Sequence, residues 1–154
     1  VVSGNKRLAS DYIEGLNILS SMRMCANVPC QSAIQTALGG YQSIDDLVKE
    51  NGRLRIQRDV TTDMLNGIDG ISCVKPKGAM YCFAKVDEKK FNIQNDEQMV
   101  LDLLSSEKIL LVHGRAFNLT EGTYFRLVFL PHSDVLVPAL HRIGNFFRTY
   151  KQGA

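Results

Sequence analysis

Along the first 67 residues the apolar positions recur at a step of three or four, and from residue 70 onward the step drops to two before helical spacing returns. Leu8, Tyr12, Leu16 and Leu19 predict an amphipathic helix from Lys6 to about Met22, which Asn27-Val28-Pro29 breaks. Pro29 suits a first helical position, so a second helix is predicted through Ala33, Ile34, Ala37 and Leu38 until Gly39-Gly40 stop it. Ser43 is expected to cap a further helical stretch through Leu47, and Ile56, Val60 and Met64 carry another from Leu54 to Gly67. Ahead of these, Val1-Val2 reads as strand-like and Ser3-Gly4 as a turn; with a first residue other than methionine, that start is expected of a fragment of something longer.

After Gly70, Ile71 to Val74 and Ala79 to Val86 alternate as strands around Pro76-Lys77-Gly78, which predicts a hairpin with Met80, Cys82 and Ala84 on one face. Asn95 followed by Gln98 is a capping-box pattern ahead of a helix with Met99, Val100, Leu103 and Leu104 on one side. A short strand is expected at Ile109 to Val112, a polar loop from His113 to Thr123, and a strand from Tyr124 to Leu130. Ser133 then caps a last helix through Leu136, Leu140, Ile143, Phe147 and Tyr150. Helices, then a hairpin, helix, strand, strand and helix imply an α/β layer domain, a mixed sheet covered by helices, behind a helical connector. The break at Gly67 to Gly70 divides the chain into residues 1–67 and 68–154.

Composition narrows the function classes without naming one. At 154 residues, 45% hydrophobic and 22% charged, the chain suits one ordinary globular domain. Eighteen basic against sixteen acidic residues, scattered along the chain, give no stripe for nucleic acid. No apolar run approaches the about 20 residues that span a bilayer, and no signal peptide opens the chain, so a cytoplasmic protein is expected. Cys25, Cys30, Cys73 and Cys82 form no C-x-x-C pair, and His113, His132 and His141 lie far from them in sequence, so buried thiols are expected rather than a metal site.

Arg126 is the residue that carries chemistry. It sits in Tyr124-Phe125-Arg126-Leu127-Val128-Phe129-Leu130, where a guanidinium needs an anion. Either a buried Asp or Glu pairs with it, or a ligand does. Its planar fork of donors matches a carboxylate bidentately, which would fix the α-carboxylate of an amino or oxo acid.

Four segments carry a family resemblance: Met24 to Gly40 (MCANVPCQSAIQTALGG), Lys75 to Tyr81 (KPKGAMY), Val112 to Asn118 (VHGRAFN) and Tyr124 to Val128 (YFRLV). In order and approximate spacing they resemble the C-terminal part of fold type I (class I/II) aminotransferases that depend on pyridoxal 5'-phosphate, on the alanine-transaminating branch. The resemblance implies that residues 1–67 are the end of the large domain with a helical connector, and that 68–154 are the small C-terminal domain. It implies amino-acid and 2-oxo-acid substrates, transfer of an amino group between alanine and 2-oxoglutarate, and a homodimer. By the same likeness Arg126 binds the substrate α-carboxylate, Gly78 and Tyr81 lie on the strand entering the active site, and Asn27 lies on a loop near the cofactor and the subunit interface. From the residues alone, Gly78 is equally the residue a hairpin turn needs, and Asn27 equally a helix breaker. Gly114 and Phe117 resemble the family's Gly-x-x-Phe turn, with His113 where many relatives carry proline. His113 is expected to be a loop or strand-end residue rather than a general base, and Arg23 a solvated helix-face residue.

None of Lys6, Lys49, Lys75, Lys77, Lys85, Lys89, Lys90, Lys108 or Lys151 has the family's Ser-x-Ser-Lys setting. The cofactor lysine is therefore expected upstream of Val1, and the isolated chain is expected to be inactive. A rival reading of the same segments is a non-catalytic carboxylate-binding or effector domain of this architecture in a regulator.

Overall fold

The computed structural model of the chain describes residues 7–153, so the strand-like start and the Ser3-Gly4 turn lie outside the described residues. Two compact units divide between Ser43 and Ile44. The first holds α1 (Ser10–Arg23) and α2 (Val28–Gly39), close to the predicted helices. Asn27 is the N-cap of α2, its Oδ1 accepting from the Cys30 N–H at 3.4 Å, and Pro29 follows inside the first turn where a missing N–H costs nothing. Neither helix buries a residue. Leu8, Tyr12, Leu19 and Leu38, which the spacing places on apolar faces, are all more than half exposed.

In the second unit the chain forms a two-layer sandwich. Its helices are α3 (Ser43–Val48, begun by the last residue of the first unit), α4 (Arg53–Asn66), the single turn α5 (Glu88–Phe91), α6 (Asp96–Glu107) and α7 (Ser133–Thr149). Its strands are β1 (Ile71–Cys73), β2 (Tyr81–Val86), β3 (Val112–His113) and β4 (Thr123–Val128), in the order β1-β2-β4-β3. The α/β class stands, but every strand pairing is antiparallel, which corrects the expected mixed sheet. The chain leaves β2 through α5 and α6 and lays β3 at the far edge, and β4 then fills the gap between them, so no two parallel strands become neighbours.

Alternation along the strands sorts the side chains into two faces. Ile71, Cys73, Cys82, Ala84, Val86, Phe125 and Leu127 are buried with Leu65 of α4, Met99, Val100 and Leu103 of α6, and Leu136, Leu140, Ile143 and Phe147 of α7 in one continuous core. Because α4 contributes Leu65, Gln57, Thr61 and Thr62 to buried positions, it belongs with the sheet by compactness, although the glycine-rich break follows it. The Asn95 cap forms as expected, its Oδ1 accepting from the Glu97 and Gln98 N–H groups at 2.9 and 3.2 Å. Its reciprocal half does not form. Gln98 donates instead to Asp102, and the Asn95 N–H goes to Oε1 of the buried Gln152, which ties the chain's last turn to the start of α6. The N-cap of α7 is His132 without a side-chain bond, and the predicted cap Ser133 is the first helical residue. The strand expected at Ile109 to Val112 is reduced to Val112–His113, with Leu110 76% exposed. No helix among the described residues is long and apolar enough to cross a membrane.

Candidate functional site

The face of the sheet turned away from the core presents Arg126. Its neighbours along β4, Phe125 and Leu127, point into the core, so the apolar run that surrounds Arg126 in sequence does not surround it in space. Across the sheet it is in register with Phe83 on β2 and Val112 on β3. The guanidinium carbon lies 4.6 Å from the ring centroid of Tyr81, a diagonal neighbour on β2, and 4.5 Å from that of Phe117. Such ring faces attract a cation and hold its plane without neutralising it. Phe83 completes the patch, stacked on Tyr124 at 5.4 Å and edge-on to Phe117 at 5.8 Å.

No carboxylate among the described residues pairs with Arg126, and its Nε is buried with no hydrogen-bond partner. The one buried acidic side chain among them, Asp96 (3% exposed), is engaged elsewhere. Its Oδ2 accepts from the Arg115 N–H at 3.0 Å and lies 3.6 Å from His113 Nδ1, and its Oδ1 lies 3.7 Å from Arg115 Nε. The structural ion pair that the sequence allows for Arg126 is thus absent among the described residues. An arginine packed on two rings, with no described group hydrogen-bonded to its guanidinium, can receive a planar anion.

Phe117 reaches Arg126 from a single 3-10 turn, Gly114–Phe117, the segment that resembles the family's Gly-x-x-Phe turn within the expected polar loop. Gly114 permits the approach, since a Cβ there would stand 3.1 Å from Tyr124 Cβ and 3.3 Å from its carbonyl oxygen. Among the residues singled out from sequence, Arg126, Tyr81 and Phe117 come together. Gly78 lies apart, lining a cavity of about 290 Å³ with Arg55, Arg58, Met80 and Phe129, whereas Arg126 lines one of about 710 Å³ with Val112, Leu130 and Val135. Gly78 also lacks the left-handed conformation that would make it the turn residue; Ala79, with φ 56°, has it. Asn27 belongs to the first unit, as the cap of α2. Arg23 closes α1 as an exposed residue, and His113 is the last residue of β3, the strand-end member of the two expected settings.

No lysine lines the cavity at Arg126. Lys85 lies over the Tyr124 ring at 6.0 Å, Lys75 pairs with Asp59, and Lys90 pairs with Asp69. The surroundings of Arg126 therefore supply a cation for a carboxylate and no amine for pyridoxal 5'-phosphate. By themselves they do not fit that cofactor, and no step of its chemistry is assigned to them. No cluster of three metal-ligating side chains occurs among the described residues.

The model of the family described as aminotransferase class I and II matches residues 2–143. The chain belongs to that family. It is 54% identical over 152 residues to the glutamate-pyruvate aminotransferase AlaA of Haemophilus influenzae, a match covering 99% of this chain and 38% of the relative. Against the alanine aminotransferase of Mycobacterium tuberculosis it is 52% identical, covering 98% of this chain and 35% of that protein. The crystal structure of an Escherichia coli aminotransferase superposes with a TM-score of 0.83 at 52% identity, over 99% of this chain and 38% of the other. The alanine aminotransferase of Pyrococcus furiosus gives 0.73 at 34% identity, over 90% and 34%. The chain thus spans well under half the length of these relatives. The four segments that resemble the family in sequence lie within a similarity that runs nearly end to end.

Proposed function

We propose that the full-length enzyme carrying this chain transfers an amino group between alanine and 2-oxoglutarate, giving pyruvate and glutamate, and that Arg126 holds the α-carboxylate which all four molecules share. The observation that carries this reading is the unpaired guanidinium of Arg126 on the ringed face of the sheet, with its buried Nε unsatisfied. A carboxylate that accepted from Nε and one Nη would satisfy that atom and orient the reacting carbon, lowering the entropic part of the barrier. The relatives at 52–54% identity, a glutamate-pyruvate aminotransferase and an alanine aminotransferase, support the substrate pair and favour an enzyme over a non-catalytic regulator domain.

Pyridoxal 5'-phosphate, bound by a lysine outside this chain, would supply the chemistry at the amino group. Residues 1–67 form the end of the large domain and the connector in this reading, and 68–154 the small domain. Tyr81 backs Arg126, Gly78 leaves open backbone on the way into β2, and Asn27 shapes the loop nearest the cofactor and the subunit boundary. The exposed apolar residues of α1 and α2 are then faces covered in a cytoplasmic homodimer.

The test is an assay of pyruvate formation from alanine and 2-oxoglutarate with the full-length enzyme and, separately, with residues 1–154 supplied with pyridoxal 5'-phosphate. Turnover by the first and none by the second is expected. Alanine-dependent pyruvate formation by residues 1–154 alone, or a full-length enzyme that transfers no amino group from alanine, would overturn the reading.

A further inference from the structure

The buried carboxylate of Asp96 has no role in helix capping to explain it. Asn95 already accepts from the Glu97 and Gln98 N–H groups, so the first turn of α6 is satisfied without Asp96. An acidic residue in a first turn already favours the helix dipole from solvent, yet Asp96 is 3% exposed. Burying a charge without a return is unfavourable, and its contacts show where the return lies.

All of them converge on the start of the 3-10 turn. Asp96 Oδ2 accepts from the Arg115 N–H at 3.0 Å, and the carbonyl of the same residue accepts from the Asn118 N–H at 3.0 Å. Arg115 is thereby fixed at both its peptide groups. On one side of it Gly114 is pressed against Tyr124 of β4, and two residues on Phe117 lays its ring against the Arg126 guanidinium. His113 Nδ1 at 3.6 Å and Arg115 Nε at 3.7 Å flank the carboxylate in its buried seat.

We infer that Asp96 is a positioning residue for the substrate-carboxylate site: by holding the Arg115 N–H it sets the turn that presses Phe117 on Arg126, and so fixes the plane of the guanidinium. This rests on Arg126 as the carboxylate clamp. A clamp that depends on fork geometry loses rate when the fork tilts, because bidentate pairing tolerates little misalignment.

A double-mutant cycle in the full-length enzyme separates this role from a purely structural one. Asp96→Ala lowers kcat/KM for alanine about ten-fold beside Arg126, and less than about two-fold in the Arg126→Lys background, where there is no fork left to orient. Asp96→Asn, which keeps an oxygen for the Arg115 N–H, retains kcat/KM within about three-fold. Should Asp96→Ala not fold, Asp96→Ser, too short to make the same bond, takes its place in the cycle. Equal losses in both backgrounds, or no loss beside Arg126, would overturn the positioning role while leaving the clamp intact. An Arg126→Lys enzyme with unchanged kcat/KM would instead remove the clamp itself.

Discussion

The two faces of the four-stranded sheet are built from alternate residues of the same strands, yet they are completed in different ways. On the inner face Phe125 and Leu127 meet α4, α6 and α7, and their packing is finished within the chain. On the outer face Arg126, flanked by those two residues in sequence, is held by rings but left without an anion. A side chain whose requirements the protein meets is read as structure. One whose surroundings are rigid and whose donors are unspent is read as a site, and period-two alternation lets a single strand carry both.

That contrast is broken most sharply at Phe125. Its replacement by alanine removes a fully buried ring stacked on Phe147 and should cost about 3 to 5 kcal/mol in denaturant unfolding. A loss under about 1 kcal/mol would mean that the inner face is not the core described here. Gly114→Ala probes the contact between the outer face and its 3-10 turn. The added methyl meets Tyr124 backbone and Cβ, and a destabilisation of about 1 to 3 kcal/mol in the same measurement is expected. A neutral result would show that the turn moves freely on β4. Phe117→Leu carries the smallest expected effect. It removes one ring from Arg126, worth about 0.5 to 1 kcal/mol, so kcat/KM of the full-length enzyme for alanine should fall about two- to five-fold with KM carrying most of the change. An unchanged kcat/KM would make the ring contact incidental.

How much of this could be read in advance follows from the range of each interaction. The helices were legible because their signals are local: Pro29 at a helix start, Gly39-Gly40 at an end, Asn95 as a cap. The antiparallel order was not, since β4 enters between β2 and β3 only through contacts made across the chain. Arg126 stood out as an arginine in an apolar run, but linear reading overstated its burial. The alternation of β4, applied strictly, already placed it opposite Phe125 and Leu127. Tyr81 was reached through the family likeness, and its ring does lie on Arg126. Phe117 was visible in the turn motif without its partner, because a 3-10 turn has no periodicity to betray it. Asp96 gave no signal at all: an acidic residue at the start of a helix is ordinarily solvated, and only the fold of residues 113–117 over it makes it buried. The compact division at Ser43 likewise reflects the packing of α4 on the sheet, which a glycine-rich break in sequence does not report.

The central claim is that Arg126 serves a ligand and not the fold, and one paired measurement on the full-length enzyme tests it. Arg126→Lys keeps the charge and removes the fork, so kcat/KM should drop at least about ten-fold for both alanine and 2-oxoglutarate, in line with about 1.5 to 3 kcal/mol for a charged hydrogen bond. Arg126→Leu, assayed by thermal unfolding beside it, should leave Tm nearly unchanged, because no described carboxylate is stranded by the loss. A large fall in Tm for Arg126→Leu together with unaltered kinetics for the folded Arg126→Lys enzyme would contradict the account and return Arg126 to the structure.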